Sequence, residues 1–192
     1  MGKSGILAMI LLSVLVLLVG VGAVACSGNG DENEAPPVEV EMELTSAAFQ
    51  DRGTMPSRHT CDGQDISPTL SWSGVPAGTQ SFAVILDDPD VPAGAFTHWV
   101  IFNIPADMLD LEEAIPDSPQ LANGAQQGEN GFGSVGYRGP CPPSGASHHY
   151  HFTIYALDIT LELTASVTKA QLLNAMQGHV LAQGELVAVY QH

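Results

Sequence analysis

Residues 87–103, DDPDVPAGAFTHWVIFN, join an acidic turn to an apolar run, and the rest of the chain is organised around them. The turn at 87–94 contains two prolines and should be stiff, because proline fixes φ at about −65° and favours an extended residue before it. The apolar run at 96–104 predicts a buried strand with His98 near its start. A second apolar run, 81–87, ends at the same turn. Two strands should therefore bring carboxylates and an imidazole to one rim.

The apolar pattern elsewhere predicts more strands and few helices. Besides the central pair, strands are expected at 38–44, 69–72, 149–158 and 184–190. One helix is expected at 168–177, with Thr168 as its N-cap and Gly178 as its C-terminal stop. A short helical turn is expected at 107–113. Many strands with one late helix favour a mainly β fold, an antiparallel β-sandwich.

Residues 1–25 predict an export signal. A positive charge at Lys3 precedes an apolar run that ends at Val21, and small residues stand directly before Cys26. This arrangement is typical of a lipoprotein signal peptide, in which Cys26 becomes the lipidated first residue of the mature chain. The alternative is a retained transmembrane anchor, because the run is about the minimum length that spans a bilayer. Both interpretations place the following residues outside the cytoplasm.

Composition separates a flexible acidic linker at 26–39 from a single domain at 40–192. The linker is rich in Gly, Asn, Pro and acidic residues and lacks apolar periodicity. The chain carries 5 basic and 21 acidic residues, a formal net charge of −16. Nucleic acid is not expected as a partner, because such a surface repels phosphate backbones. A small anion would need local donors inside a pocket.

The chain has three cysteines, Cys26, Cys61 and Cys141. If Cys26 carries lipid, two remain, and two remaining cysteines in an exported protein favour a disulfide. That bridge would tie the loop beginning at Arg58 to the GPCPP loop at 139–143. Two separate buried thiols are the alternative.

The candidate chemical groups lie in the acidic turn and in a histidine cluster. They are Asp88, Asp90, His98, His148 and Tyr150, together with the loop at 136–143. Because side chains alternate along a strand, His148 and Tyr150 share one face. His149 and His151 share the other face. The cluster therefore does not supply three converging metal ligands, and neither a metal nor a cofactor is expected.

These groups suit binding better than catalysis. The chain has no Gly-x-Ser-x-Gly elbow and no Walker-type phosphate loop, so no enzyme activity is expected. Asp88 and Asp90, on either side of one proline, are expected to cap a turn. Imidazole and phenol groups can donate to phosphate or carboxylate oxygens. A neighbouring aspartate could raise the pKa of a pocket histidine and keep the ring charged.

Three separated blocks resemble the phosphatidylethanolamine-binding protein family, also called the Raf kinase inhibitor protein family. The blocks are DPDVP with HWVIFN at 88–103, GPCPP at 139–143 and HHY at 148–150. Two further stretches, SPTLSWSGVPAG at 67–78 and AMQGHVLAQGEL at 175–186, are similar to the bacterial branch of this family. The resemblance spans about residues 42–190.

The resemblance implies a large antiparallel sheet packed on a smaller one, with an anion pocket at one end. The residues that it places around the pocket are Asp88, His98, His148 and Tyr150, with Pro142 and Pro143 as a proline wall. This chain has His149 where many members have Arg. Phe96 stands two residues before the pocket histidine, where a Trp could donate a hydrogen bond.

Together, these features predict an exported, lipid-anchored binding protein for a small anion or a phospholipid headgroup. It would lie on the extracytoplasmic side of the membrane, and a homodimer is compatible with the resemblance. The competing class is a protein-interaction module, for instance an inhibitor of an extracellular hydrolase. A weaker alternative is a hydrolase that uses His98 and Asp88.

Overall fold

The computed structural model describes residues 41–192, which form two β-sheets and one α-helix. The strands are β1 (Glu43–Thr45), β2 (Gly53–Thr54), β3 (Leu70–Ser73), β4 (Ser81–Asp88), β5 (Phe96–Pro105), β6 (Asp110–Leu111), β7 (Gln126–Gln127), β8 (Ser147–Leu157) and β9 (Val180–Gln191). The helix α1 spans Lys169–Met176, and a 3-10 helix spans Ser57–His59.

The predicted sandwich of a large sheet on a smaller one is confirmed. The large sheet has the strand order β2-β9-β8-β4-β5-β7, and the small sheet has the order β1-β3-β6. Neighbouring strands are antiparallel, except that β2 runs parallel to β9. Trp72 of the small sheet packs edge-on against Phe82 of the large sheet, with ring centroids 5.3 Å apart. A continuous apolar core lies between the sheets.

The large sheet is buried on both faces. In β4, the side chains of Phe82, Val84 and Leu86 belong to the core between the sheets. Those of Ala83 and Ile85 belong to a second core, which α1 covers. A strand that is buried on both faces needs apolar residues at successive positions, which is why this segment has no polar alternation.

The helix begins and ends as the sequence predicts. The Thr168 hydroxyl accepts a hydrogen bond from the Gln171 N–H at 3.4 Å, and the Gln171 side chain accepts from the Thr168 N–H at 2.9 Å. This reciprocal pair is a capping box. Leu172 and Met176 are buried in the second core. Gly178 has a φ of 79° just after the helix, a conformation that glycine adopts without strain.

The helical turn predicted for 107–113 is wrong. Its residues Asp110–Leu111 form β6, which pairs with Leu70–Ser71 of β3. Leu111 is 1 % exposed and belongs to the core between the sheets. Pairing at the edge of the small sheet and burial of Leu111 therefore outweigh the local preference for a turn.

The predicted N-terminal features lie outside the described residues. They are the signal peptide at 1–25, the linker at 26–39 and the lipidation site Cys26. Of the predicted strand at 38–44, the described part forms an isolated bridge at Glu41 and then β1. Between residues 41 and 192, no helix has the length and hydropathy needed to cross a membrane.

Candidate functional site

A β-bulge in β5 sets the direction of His98. Leu86 of β4 pairs with Trp99 of β5. The next pair is Asp87 with Thr97, which leaves His98 without a partner in β4. Such an extra residue re-aims the side chains on the bulged strand. His98 consequently joins side chains on the inner face of the large sheet, the face that meets the small sheet.

The bulge brings His98 together with three side chains of β4 and β8. The His98 ring lies edge-on to the Tyr150 ring, with centroids 5.3 Å apart, and the His148 ring is stacked 6.5 Å from Tyr150. The Nδ1 atom of His148 lies 2.7 Å from Oδ2 of Asp88. All four side chains are buried, with exposed fractions between 0 % and 8 %. We call Asp88, His98, His148 and Tyr150 the buried polar cluster.

Both imidazoles of the cluster are held through Nδ1. The His98 Nδ1–H donates to the carbonyl oxygen of Arg138 at 2.7 Å, and the His148 Nδ1–H donates to Asp88. The second carboxylate oxygen of Asp88 accepts the N–H of Asp90 at 2.9 Å, which is the turn-capping role predicted for this pair. Because Nδ1 is occupied in both rings, the Nε2 atoms are left to interact with a ligand.

The Tyr150 hydroxyl is buried and makes no hydrogen bond of normal length among residues 41–192, although the Asp88 carboxylate and the backbone of Cys141 lie near it. Leaving a buried hydroxyl unpaired costs about 1–3 kcal/mol, so such a group in a native protein calls for an explanation. Burial raises the pKa of the Tyr150 phenol, and the nearby charge of Asp88 raises it further. The hydroxyl is therefore protonated at neutral pH and can donate to a ligand atom.

His98 is neutral at neutral pH. Burial lowers its pKa below the ordinary value of 6.5, although the Arg138 carbonyl and the charge of Asp88 act in the opposite direction. The expectation that a neighbouring aspartate keeps the pocket histidine charged does not hold for His98, because Asp88 makes its hydrogen bond to His148 instead. In the neutral ring, Nε2 of His98 is an acceptor.

The loop that contains the two prolines is tied to the 57–65 segment. Cys61 and Cys141 form the predicted disulfide. The Cys61 N–H also donates to the carbonyl of Pro140 at 3.1 Å. Pro142 is buried and Pro143 is exposed, so the two prolines differ in surroundings. Their role as a wall of the pocket remains a prediction.

Asp65 and Arg138 secure the carbonyl that orients His98, and sequence reasoning missed both residues. Oδ1 of Asp65 accepts the N–H of Gly139 at 2.6 Å, and Oδ2 lies 3.4 Å from the guanidinium of Arg138. Arg138 orients His98 through its backbone carbonyl oxygen and not through its side chain. No side-chain pattern reveals a backbone contact of this kind.

The other two histidines of the 148–151 stretch lie on the opposite face, as strand parity predicts. Nδ1 of His149 is 2.8 Å from Oδ2 of Asp90, and Nδ1 of His151 is 2.8 Å from Oε1 of Glu185. Each histidine therefore has its own carboxylate partner. His149 and His151 are therefore suitable controls for the buried polar cluster.

A group of potential metal ligands occurs near the disulfide. Ligand atoms of Cys61, Asp62 and His192 lie within 4.8 Å of one another. The sulfur of Cys61 is bonded to Cys141, so this group offers only two ligands. Protein zinc sites use three or four protein ligands, so the group does not form such a site.

Two large surface grooves lie away from the buried polar cluster. One, of about 570 Å³, is lined mainly by residues 41–46, and the other, of about 760 Å³, mainly by residues 180–185. Both border Glu41, the first described residue. The ionisable groups that line them are carboxylates, which repel an anion. The buried polar cluster is the better candidate on its chemistry.

The sandwich fold agrees with comparisons against known families. The family model described as phosphatidylethanolamine-binding protein matches residues 45–191. The chain therefore belongs to the phosphatidylethanolamine-binding protein family, as its sequence blocks predict.

Similar proteins come from both archaea and bacteria. A UPF0098 protein of Methanothermobacter thermautotrophicus is 54 % identical over 149 residues, which cover 78 % of this chain and 98 % of the relative. A UPF0098 protein of Aquifex aeolicus is 44 % identical over 151 residues, which cover 78 % of this chain and 88 % of the relative. Assignment to the bacterial branch remains a prediction.

Two crystal structures share the fold over nearly their full length. CT736 of Chlamydia trachomatis, described as a homologue of phosphatidylethanolamine-binding protein, has a TM-score of 0.73 and 41 % identity. The comparison covers 80 % of this chain and 99 % of CT736. YbcL of E. coli, described as a new member of the mammalian family, has a TM-score of 0.74 and 35 % identity. Here the coverage is 79 % of this chain and 99 % of YbcL.

Proposed function

We propose that this chain is a binding protein, and not an enzyme, which holds a small anion or a phospholipid headgroup at the buried polar cluster. The observation that carries the proposal is the Tyr150 hydroxyl, a buried donor without a partner in residues 41–192. It lies beside the rings of His98 and His148, whose Nδ1 atoms are both occupied. One ligand group could therefore pair with the hydroxyl and with an Nε2 atom.

The cluster offers a mixed set of donors and acceptors. The Tyr150 hydroxyl donates, and His148, whose Nδ1 is paired with Asp88, presents its Nε2 atom to a ligand. The neutral His98 accepts, for example from the ammonium group of a phosphoethanolamine headgroup or from the hydroxyl of a protonated phosphate. A net charge of −16 and the carboxylate of Asp88 both disfavour a ligand that is only negative. A zwitterion such as a phosphoethanolamine headgroup fits this electrostatic setting better than free phosphate.

The surroundings of the cluster support binding without turnover. Ser144 and Ser147 are exposed, and neither is hydrogen-bonded to His148 in the part of the chain that the structure describes. Covalent hydrolases need a nucleophile within hydrogen-bond reach of its base. We therefore expect no hydrolysis of esters, peptides or phosphodiesters by the purified protein.

An exported, lipid-tethered form is part of the same proposal. The disulfide between Cys61 and Cys141 supports it, because structural disulfides persist in oxidising compartments and are rare in the cytosol. The signal-like stretch at 1–25 and the position of Cys26 give the second line of support.

Calorimetric titration of four proteins with phosphate and with phosphoethanolamine tests the assignment. The proteins are the wild type, His98→Ala, Asp88→Asn and the control His151→Ala. His98→Ala should weaken both ligands about tenfold or more, since a hydrogen bond to a charged group contributes about 1.5–3 kcal/mol. Asp88→Asn should weaken phosphoethanolamine and spare, or strengthen, phosphate.

The control separates the cluster from the rest of β8. His151 lies on the opposite face of the sheet and pairs with Glu185, so His151→Ala should leave both affinities unchanged. Binding that survives His98→Ala unchanged would place the ligand elsewhere and overturn the assignment.

A further inference from the structure

An exposed aromatic ring stands next to the buried polar cluster. Phe132 is 55 % exposed, which is unusual for a large apolar side chain at a fixed position in a loop. Its ring centroid lies 5.6 Å from that of His98 and 4.8 Å from that of Phe96. The Phe96 ring in turn lies 5.3 Å from His98. We call Phe96 and Phe132 the aromatic rim.

The loop that carries Phe132 is internally bonded. Asn130 is 5 % exposed, and its Oδ1 accepts the N–H groups of Phe132 at 3.0 Å and of Ser134 at 3.3 Å. Its Nδ2 donates to the carbonyl of Gly136 at 2.9 Å. One buried amide therefore fixes the backbone on both sides of Phe132.

The neighbouring glycine ties this loop to β5. The Gly131 N–H donates to the carbonyl of Thr97 at 2.7 Å. A Cβ atom at position 131 would lie 2.6 Å from the ring of Phe96, so that ring packs directly on the Gly131 backbone. The aromatic rim is thus ordered before any ligand arrives, and contacts that need no ordering on binding favour affinity.

The position of Phe132 and the charge of the protein limit which kinds of molecule can cover its ring. Burying an exposed apolar ring is favourable at roughly 25 cal/mol per Å². Because the Phe132 ring contacts the ring of His98, an occupant of the cluster that extends outward would meet Phe132 first. A net charge of −16 disfavours an anionic membrane surface or an acidic protein as the occupant.

We propose that the aromatic rim selects ligands whose anionic group carries an apolar substituent, so that apolar phosphate esters bind more tightly than small ones. This inference rests on the proposed function, since it needs the phosphoryl group to occupy the buried polar cluster. The shared chemistry is a phosphate ester that carries an apolar group, from a lipid or from a soluble compound.

Calorimetry with methyl phosphate and phenyl phosphate tests the selection. The wild type should bind phenyl phosphate about three- to tenfold more tightly, the range expected for an added aromatic pair. Phe132→Ala should remove this preference, so that the variant binds the two esters with equal affinity. Leu109→Ala is the matched control, because Leu109 is 52 % exposed and is not part of the rim. It should keep the wild-type preference.

The inference and the proposed function would be contradicted by different experimental results. Equal affinity of the wild type for the two esters, or a preference that survives Phe132→Ala, overturns the selection by the rim but leaves the phosphate site standing. If the wild type binds neither ester, the proposed function fails, and the inference fails with it. A concentration-dependent dimer that Phe132→Ala abolishes in sedimentation would also overturn the inference, since the rim would then be a subunit contact.

A lipid arm identifies the source of the ligand. Dihexanoyl phosphatidylethanolamine, used below its micelle concentration, should also bind more tightly than methyl phosphate and lose this advantage in Phe132→Ala. If phenyl phosphate shows the advantage and the lipid does not, the source of the ligand is a soluble compound. If phenyl phosphate and the lipid both show the advantage, the aromatic rim recognises the apolar group, whether it belongs to a lipid or to a soluble compound. An advantage in neither contradicts the inference.

Discussion

At the scale of single residues, Tyr150 combines a position in the core with an unpaired hydroxyl. Tyr150→Phe removes this oxygen and keeps the ring that packs against His98. Because the hydroxyl has no partner among residues 41–192, the variant should unfold with an unchanged free energy, or one up to about 1 kcal/mol higher. Its affinity for phosphate should fall several-fold. Urea unfolding and calorimetry measure the two effects.

The two readouts for Tyr150→Phe separate folding from binding. A variant that is more than about 1 kcal/mol less stable would show that the hydroxyl has a partner in the native fold. A variant with full phosphate affinity would remove Tyr150 from the list of donors.

The lowered pKa of His98 predicts how anion binding depends on pH. Sulfate is a suitable probe, because its charge is constant across this range. Since the pKa of His98 lies below 6.5, the ring gains a proton only in acid, and sulfate should bind more tightly as pH falls below about 6.5. His98→Gln should lose this gain, whereas His151→Gln should retain it. Calorimetry at about pH 8, 7, 6 and 5 measures the profile.

The sign of this effect follows from the direction of the shift. Burial favours the neutral ring in the free protein, so the gain in affinity should level off only at a pH below the ordinary histidine pKa of 6.5. A gain in the His98→Gln variant as large as that of the wild type would show that another group takes up the proton.

At the scale of elements, the disulfide links two irregular segments that support the cluster. Cys61 and Cys141 are separated by 80 residues, and closing a loop of that length stabilises the fold by about 4 kcal/mol in the chain-entropy model. The variant with both cysteines changed to Ala should lose a comparable free energy of unfolding. It should also bind phosphate more weakly, because the carbonyl of Arg138 would be less firmly placed. An unchanged urea midpoint would contradict the structural role of the bond.

The elements also show which features the sequence reveals. The strands at 81–88 and 96–105 can be predicted from the sequence because each strand is apolar on both faces. The helix α1 is readable because Thr168 and Gly178 mark its ends. The two-residue strand β6 cannot be predicted from its own residues, because it forms through pairing with β3 and has no local pattern.

The candidate site likewise has features that the sequence predicts and features that it does not. The pocket residues are predicted by distinctive local blocks, and the shared face of His148 and Tyr150 follows from strand parity alone. The bulge at His98 arises from the register between β4 and β5, which no single segment encodes. Asp65 was missed because it acts on a backbone that is far away in sequence. Phe132 did carry a signal, a single large apolar residue between two glycines.

At the scale of the whole molecule, the proposed export and tethering would determine which ligands the protein meets. The proposed anchor predicts that Cys26→Ser either releases the protein from membranes or leaves an uncleaved precursor. Stable attachment by lipid needs more than one acyl chain, so loss of the modified residue should abolish it. Membrane fractionation and the mass of the mature protein measure the outcome. Unchanged maturation and partitioning in Cys26→Ser would contradict lipidation at this residue.

The claim that the buried polar cluster binds the ligand is tested most directly by the histidine rings themselves. In protein labelled with ¹⁵N at the imidazoles, titration with inorganic phosphate should shift the Nε2 resonances of His98 and His148 to saturation, with one common dissociation constant. The resonances of His149 and His151, on the opposite face, should stay in place. Saturable binding that leaves His98 and His148 unmoved, or shifts that grow linearly at all four rings, would contradict the assignment.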